Sequence, residues 1–577
     1  MFDTLPNLHT FMGWSWAQIE PYYRDLLARD LNDSNAVEWL SDLARLSQLL
    51  EETHSRLEVE TTLDTEDQAR VDRFLAYNET VITPARALDN ELRKKILASG
   101  INPPGYAVQL RNMREEADLF REANLPLLLE EDRLTSEHDR ISGAQTVVWE
   151  GEEKTVPAMK IVQQNPNRAV REQAWRLVND RILADKDALN AVWIDLLKLR
   201  HQMAINAGLP DYRAYMWRKM RRFDYTPQDC EAFHAAIERT FVPAAARIDE
   251  KRRQRLGVDT LRPWDQDVDT RQLPPLKPFA PDDTARLVTR SAAIFHKVDP
   301  ALGAHFETMV RDELLDLDNR KGKAPGGYCT DYAYSQRPFI FMNAIGIHDD
   351  VQTMLHEGGH AFHSFETFRL PAYQRGTVPD YDVSAIPIEM AEVASMSMEL
   401  LAAPYLAASE GGFYSDAEAA RARIEHLEGI IAFMPYMAVV DAFQHWAYTH
   451  VDQALDPANC DAQWAELFRR FIPSLDFTGL ESALADGWHR KLHIYQYPFY
   501  YVEYGLAQVG ALQVWNNALT DQAGAVAAYR RALALGGTRP LPELFQAAGA
   551  RFTWDADTLQ MEVDLIERTL AQLESQL

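Results

Sequence analysis

Apolar residues recur three and four positions apart, among charges, over most of this chain. The pattern covers residues 34 to 57, 63 to 98, 107 to 141, 167 to 206, 227 to 255 and 282 to 298, with Asp, Ser, Thr or Pro at several starts. That period predicts helices, so the fold class is mostly α. Strands are the exception. Residues 146 to 156 alternate apolar and polar positions around Glu150-Gly151, which predicts a hairpin. A second β region is predicted from residues 326 to 330 and 338 to 343, and the strand at 339 to 343 is a candidate edge along which an extended peptide could pair. A proline-rich bend at residues 274 to 281 interrupts the helices and is short enough to be an internal loop.

No Ser/Gly-rich linker, internal repeat or low-complexity tract divides the 577 residues, so one large body is expected, with a lobe boundary near residue 190: an N-terminal helical lobe over 1–190 and a second lobe over 191–577. Hydrophobic residues at 46 % and aromatics at 10 % supply an ample core, which excludes the disordered and fibrous classes. A formal charge of −27 argues against nucleic acid or an anionic membrane as partner. The start, Met1 to Pro6, lacks the basic-then-apolar pattern of a signal peptide, and three widely spaced cysteines suit a reducing compartment. A cytoplasmic protein is the expectation.

The chemistry centres on His356-Glu357-Gly358-Gly359-His360. Four residues make a little over one helical turn, so the two imidazoles share a face and can grip one Zn²⁺. Glu357 then lies beside the metal, where its carboxylate can act as a base toward a metal-activated water. The preceding Asp349-Asp350 offers an Asp N-cap, and Val351, Met354, Leu355 and Phe362 continue the helical period. Two adjacent glycines weaken a helix, and their presence here predicts that a neighbouring element approaches closely. His363 shares the same face, so a three-His site is chemically possible from the spacing. A third ligand is owed. The stretch from Ile386 to Glu399 begins with a proline, continues with helix formers and carries Glu389, Glu392 and Glu399 near one face, so that spacing alone leaves all three open. Mn²⁺ or Co²⁺ would also suit two His and a carboxylate.

The string from Asp350 to His363, the helix Met390 to Ser395 after it, and the His- and Tyr-rich segment between Trp488 and Gly505 together resemble the thimet oligopeptidase/oligoendopeptidase F family of zinc metallopeptidases, most strongly over residues 320 to 515. The resemblance implies a two-lobed, neurolysin-like helical fold with a deep channel that admits short peptides and excludes folded proteins. It also implies His356, His360 and Glu392 as ligands of one Zn²⁺, Glu357 as general base and later proton donor, and Glu389 and Glu399 as residues that orient a ligating imidazole. In the segment from His493 to Gly505, a His and a Tyr would stabilise the oxyanion; Tyr504 and His493 match best, Tyr497 and Tyr500 less well. The Gly-Gly loop of the thimet branch is missing here.

The reading is therefore a zinc-dependent oligoendopeptidase acting on internal bonds of short peptides. One alternative is a zinc carboxypeptidase or dipeptidyl carboxypeptidase, for which Arg337 or Arg490 would clamp the substrate carboxylate. The other is a non-catalytic peptide-binding helical scaffold.

Overall fold

The computed structural model describes residues 1–271, 273–378 and 385–577. Eight helices and five strands frame the site: α1 (Ala36–Leu63), β1 (Thr146–Trp149), β2 (Glu152–Thr155), α2 (Tyr212–Lys219), α3 (Pro227–Leu256), α4 (Thr284–Val298), β3 (Leu315–Asp318), β4 (Tyr328–Tyr332), β5 (Arg337–Ala344), α5 (His348–Thr367), α6 (Ile388–Ala402), α7 (Asp416–Thr449) and α8 (Tyr501–Thr520). The rest is largely further helices, and the fold is mostly α.

The helical period located the helical stretches better than it set the number of helices. The run at 107 to 141 divides into Ala107–Leu119 and Leu125–Gly143, and the run at 167 to 206 into Arg168–Leu183 and Lys186–Asn206. The first of these breaks is closed by Pro126 in the opening turn of the second helix, where its missing N–H costs nothing. The predicted helix at 227 to 255 is α3. Thr226 caps it: its Oγ1 accepts from the N–H of Asp229, and Asp229 Oδ2 accepts from the N–H of Thr226. Gly257 ends it in the left-handed region at φ 66°.

The hairpin forms as expected, β1 pairing antiparallel with β2 and turning at Glu150 and Gly151, both at positive φ. The other sheet differs from expectation. Its order is β3-β5-β4, with β5 parallel to β3 and antiparallel to β4. Residues 339 to 343 therefore lie in the central strand, whose backbone is already paired on both sides, and the exposed edge beside the site belongs to β4. The four-residue β3, Leu315-Asp316-Leu317-Asp318, does alternate apolar and polar positions, yet it lies outside the strands predicted from the sequence.

Among the described residues, two large cores hold the molecule, with two smaller clusters around Met159 and Trp264. One large core gathers side chains from residues 2 to 113 with Tyr373, and the other gathers side chains between Val59 and Leu573. Ser47 donates to the carbonyl of Thr377 at 2.7 Å and Gln109 to that of Gln374 at 2.8 Å, tying the N-terminal helices to the segment that follows α5. Helix α7 is long and apolar enough to cross a membrane by length and composition. Its apolar residues from Ile430 to Tyr448 are instead core, packed against α3 and α8.

Candidate metal centre

Helix α5 begins at His348, so neither Asp349 nor Asp350 is its N-cap, contrary to the sequence expectation. Asp350, in the first turn, turns back instead: its Oδ2 accepts from the N–H groups of Ile345, Gly346 and Ile347, which holds the approach from β5. One turn and a half later come His356 and His360, with ring centroids 4.9 Å apart.

The glycine pair explains how the third carboxylate arrives. A Cβ built on Gly359 would lie 2.6 Å from both Ala394 O and Ser395 Cα, so the backbone of α6 passes where a side chain would stand. A Cβ on Gly358 would meet the ring of Phe295 on α4 at 2.6 Å. With α6 this close, Glu392 Oε2 lies 3.4 Å from His356 Nε2 and 3.8 Å from His360 Nε2. The donor atoms of His356, His360 and Glu392 all fall within 4.8 Å of one another.

The surroundings fix which atoms are free to bind. Glu399 Oε1 lies 2.7 Å from His356 Nδ1, and its other oxygen lies 2.9 Å from His426 Nε2. A carboxylate on Nδ1 keeps a proton there and turns Nε2 towards Glu392. Ser395 Oγ donates to Glu392 Oε2 at 2.9 Å. Glu389 is drawn away by the Tyr225 hydroxyl, 2.7 Å from its Oε1. His363 is buried outside the group. Two imidazole nitrogens and one carboxylate oxygen, converging with the outer nitrogen of His356 held by Glu399, fit a divalent cation of the zinc type.

Electrostatics follow from burial and these contacts. Burial pulls the His356 imidazole down, but its hydrogen bonds with Glu392 and Glu399 outweigh this and hold it well above the usual range. His360, with burial dominant, drops to about 4. Glu399 is favoured by its two histidines over its own burial and falls to about 2. Glu357 is 8 % exposed, and burial lifts its carboxyl to about 7, against the opposing pull of His356 and of the Cys329 N–H of β4.

The His/Tyr segment lies partly where the sequence suggests. Its middle is pinned by Phe499, at φ 66°, whose N–H donates to Gln444 Oε1 at 2.7 Å and whose carbonyl accepts from Arg222. Arg222 also reaches Glu503 Oε1 at 2.8 Å, between the rings of Trp217 and Tyr225. Tyr500 at the N-cap of α8 and Tyr504 in its first turn then follow, ring centroids 5.2 Å apart. Burial raises both phenols, Tyr504 to about 12, and the negative charge of Glu392 adds to each. His493 packs 4.9 Å from the Tyr501 ring and 6.1 Å from Tyr504, with burial lowering it to about 4. Tyr497 is 53 % exposed, at the outer end of the cluster.

The two arginines offered as carboxylate clamps are already engaged. Arg337 pairs with Asp312 at 2.8 Å, and Arg490 is bound to Asn179. A cleft of about 530 Å³ runs between α1 and β4, lined by Glu51, His54, Glu58, Thr330, Asp331 and Ala333. Cys329 of β4 reaches Glu357 through its N–H. Arg222, Tyr225 and His426 escape a reading of the sequence, because none lies in a motif and each is recognised only by a partner far along the chain.

A family model described as peptidase family M3 matches residues 161–563. The chain is 24 % identical over 280 residues to oligopeptidase PepF of Bacillus subtilis (strain 168), an alignment covering 47 % of this chain and 39 % of that protein. A homolog of oligoendopeptidase F from Borreliella burgdorferi is 23 % identical over 278 residues, covering 47 % of this chain and 45 % of the relative. These alignments span less than half the length of either relative. Among solved structures, PZ peptidase A bound to an inhibitor superposes with a TM-score of 0.83 at 25 % identity, over 99 % of each chain.

Proposed function

This chain belongs to peptidase family M3, and on that premise we propose that it is a cytoplasmic zinc-dependent oligoendopeptidase that hydrolyses internal bonds of short, unstructured peptides. The observation that carries this reading is the convergence of His356, His360 and Glu392, with the buried carboxylate of Glu357 beside them. His356 Nε2, His360 Nε2 and a Glu392 oxygen would hold the cation, which when bound polarises a carbonyl and makes water acidic enough to attack near neutral pH.

The protein's own groups carry the protons. Glu357 accepts a proton from the attacking water and returns it to the leaving amine, a shuttle suited to a carboxyl lifted to about 7. Glu399 keeps His356 in the tautomer that presents Nε2, and Ser395 holds Glu392 in place. Tyr504, with Tyr500 beside it, donates a hydrogen bond to the carbonyl oxygen as negative charge develops there. The exposed edge of β4 offers unpaired backbone groups to an extended peptide. The lobes over 1–190 and 191–577 would enclose the channel.

A carboxypeptidase reading is weaker, since Arg337 and Arg490 are engaged with Asp312 and Asn179. A non-catalytic scaffold leaves a buried base without a task. Incubation with a mixed peptide library and a folded protein, followed by mass spectrometry, is the test. Internal cleavage of short peptides alone is expected; release of only C-terminal residues or dipeptides, or no cleavage by metal-replete protein, overturns the reading.

A further inference from the structure

Away from this centre, α3 and α7 bring four more donors together in the core. Cys230 and His234 stand one turn apart on α3, Asp441 and His445 one turn apart on α7, and all four are at most 5 % exposed. The donor atoms of Cys230, Asp441 and His445 lie within 4.8 Å of one another. His234 Nε2 is 2.8 Å from Asp441 Oδ2 and satisfies that oxygen. The other oxygen, Oδ1, has no hydrogen-bond partner, and neither has His445 Nε2, although it lies 3.3 Å from Asp441 Oδ2. Burying such groups unpaired costs about 1–3 kcal/mol each. A third donor cluster, Asp461, Asp486 and His489, differs in that the ammonium of Lys186 already sits among its carboxylates.

We propose that Cys230 Sγ, Asp441 Oδ1 and His445 Nε2 bind a second divalent cation, of the Zn²⁺ or Co²⁺ class, that clamps α3 to α7. Both orphaned atoms then gain a bond, and a mixed sulfur, nitrogen and oxygen set suits a borderline-soft cation. Binding converts the Cys230 thiol to a thiolate and releases its proton to solvent, so that two anionic ligands balance the double charge. His234 keeps its hydrogen bond to Oδ2 and orients the carboxylate from outside. The proton of His445 moves to Nδ1, which faces Arg213 Nη1 at 3.3 Å; Arg213 has an alternative acceptor in Glu231 Oε1, 3.4 Å away. The cation rests on no part of the peptidase reading and needs no substrate.

Full-length protein produced in cobalt-supplemented medium provides the test, through elemental analysis and absorption spectroscopy. Wild type is expected to hold two equivalents of Co²⁺ and to show near-ultraviolet thiolate-to-cobalt charge transfer. Cys230→Ser should hold one equivalent and lose that absorption. Glu392→Gln should also lose one equivalent yet keep the absorption, and Cys329→Ser, whose thiol lies near Glu357, should keep both. A wild type with one equivalent and no thiolate absorption overturns the site, whether or not Cys230→Ser folds. So does an absorption that disappears in Cys329→Ser and persists in Cys230→Ser.

Discussion

Gly359 and Ser395 meet backbone to backbone: a Cβ added to the glycine would stand 2.6 Å from the Cα of the serine. The contact sets the separation of α5 from α6, and with it the distance from the two imidazoles to Glu392. Gly359→Ala should push the helices apart, with overpacking costing about 1–3 kcal/mol. A lowered melting temperature and reduced bound metal are expected together. Wild-type metal content and melting temperature in the variant would remove the glycine from the account of the site.

The three carboxylates of α6 have different partners and should respond differently. Glu392→Gln should weaken metal binding beyond the roughly 10- to 100-fold that loss of an outer hydrogen bond costs, and Glu399→Gln should fall within that range. Glu389→Gln, facing Tyr225 rather than a ligand, should leave metal affinity unchanged. Competition with a chromophoric chelator ranks the three. Equal affinity for wild type and Glu392→Gln overturns the ligand assignment.

Glu357→Gln keeps a hydrogen-bond acceptor for the Cys329 N–H but removes the base. Turnover should fall by about 10²- to 10⁴-fold with fold and metal content intact. Steady-state rates within tenfold of wild type would exclude the proton shuttle.

The three tyrosines separate by position. Tyr504→Phe should lower kcat by about 10²- to 10³-fold with little change in KM, as expected for one lost oxyanion donor. Tyr500→Phe should show a smaller loss of the same kind, and the exposed Tyr497 should tolerate the change. A rise in KM at constant kcat for Tyr504→Phe would instead make it a substrate-binding group.

Asp89 supplies a pH prediction remote from the site. Burial raises its carboxyl to about 7, against the opposing hydrogen bond from Tyr23. A folded-state value above the unfolded one means that the favourable contribution is complete at low pH and is lost as pH rises towards about 7. Asp89→Asn, which cannot ionise, should therefore gain melting temperature relative to wild type between about pH 5 and about pH 8. A difference that stays constant over that range would show that Asp89 does not titrate there.

Much of this was legible in the chain, for definable reasons. His356, Glu357 and His360 share one helical turn, so their geometry is local, and the glycine pair announced a close neighbour without naming it. The central position of β5 was hidden because its parallel partner β3 is a single four-residue alternation, Leu315 to Asp318, too brief to announce which strand it pairs with. Asp350 looked like a cap because its type suits one, but the chain from Ile345 to Ile347 brings three N–H groups to its side chain and moves the helix start forward. Arg222, Tyr225 and His426 were illegible because their significance is a contact with Glu503, Glu389 or Glu399, and no local pattern encodes a partner so far along the chain.

The pairing of Arg222 with Glu503 and with the carbonyl of Phe499 also bears on how the protein can be divided. All three donors of the first cation group lie between His356 and Glu392, and Tyr504 lies further on, so a fragment starting beyond Leu256 would carry the full set. It would lack the arginine that holds Phe499 in its left-handed turn and the tyrosine that steers Glu389 away from the ligands. The catalytic half is thus not a portable module: its chemistry is contiguous in sequence, whereas the scaffold that orders it begins at least as early as the segment joining α2 to α3.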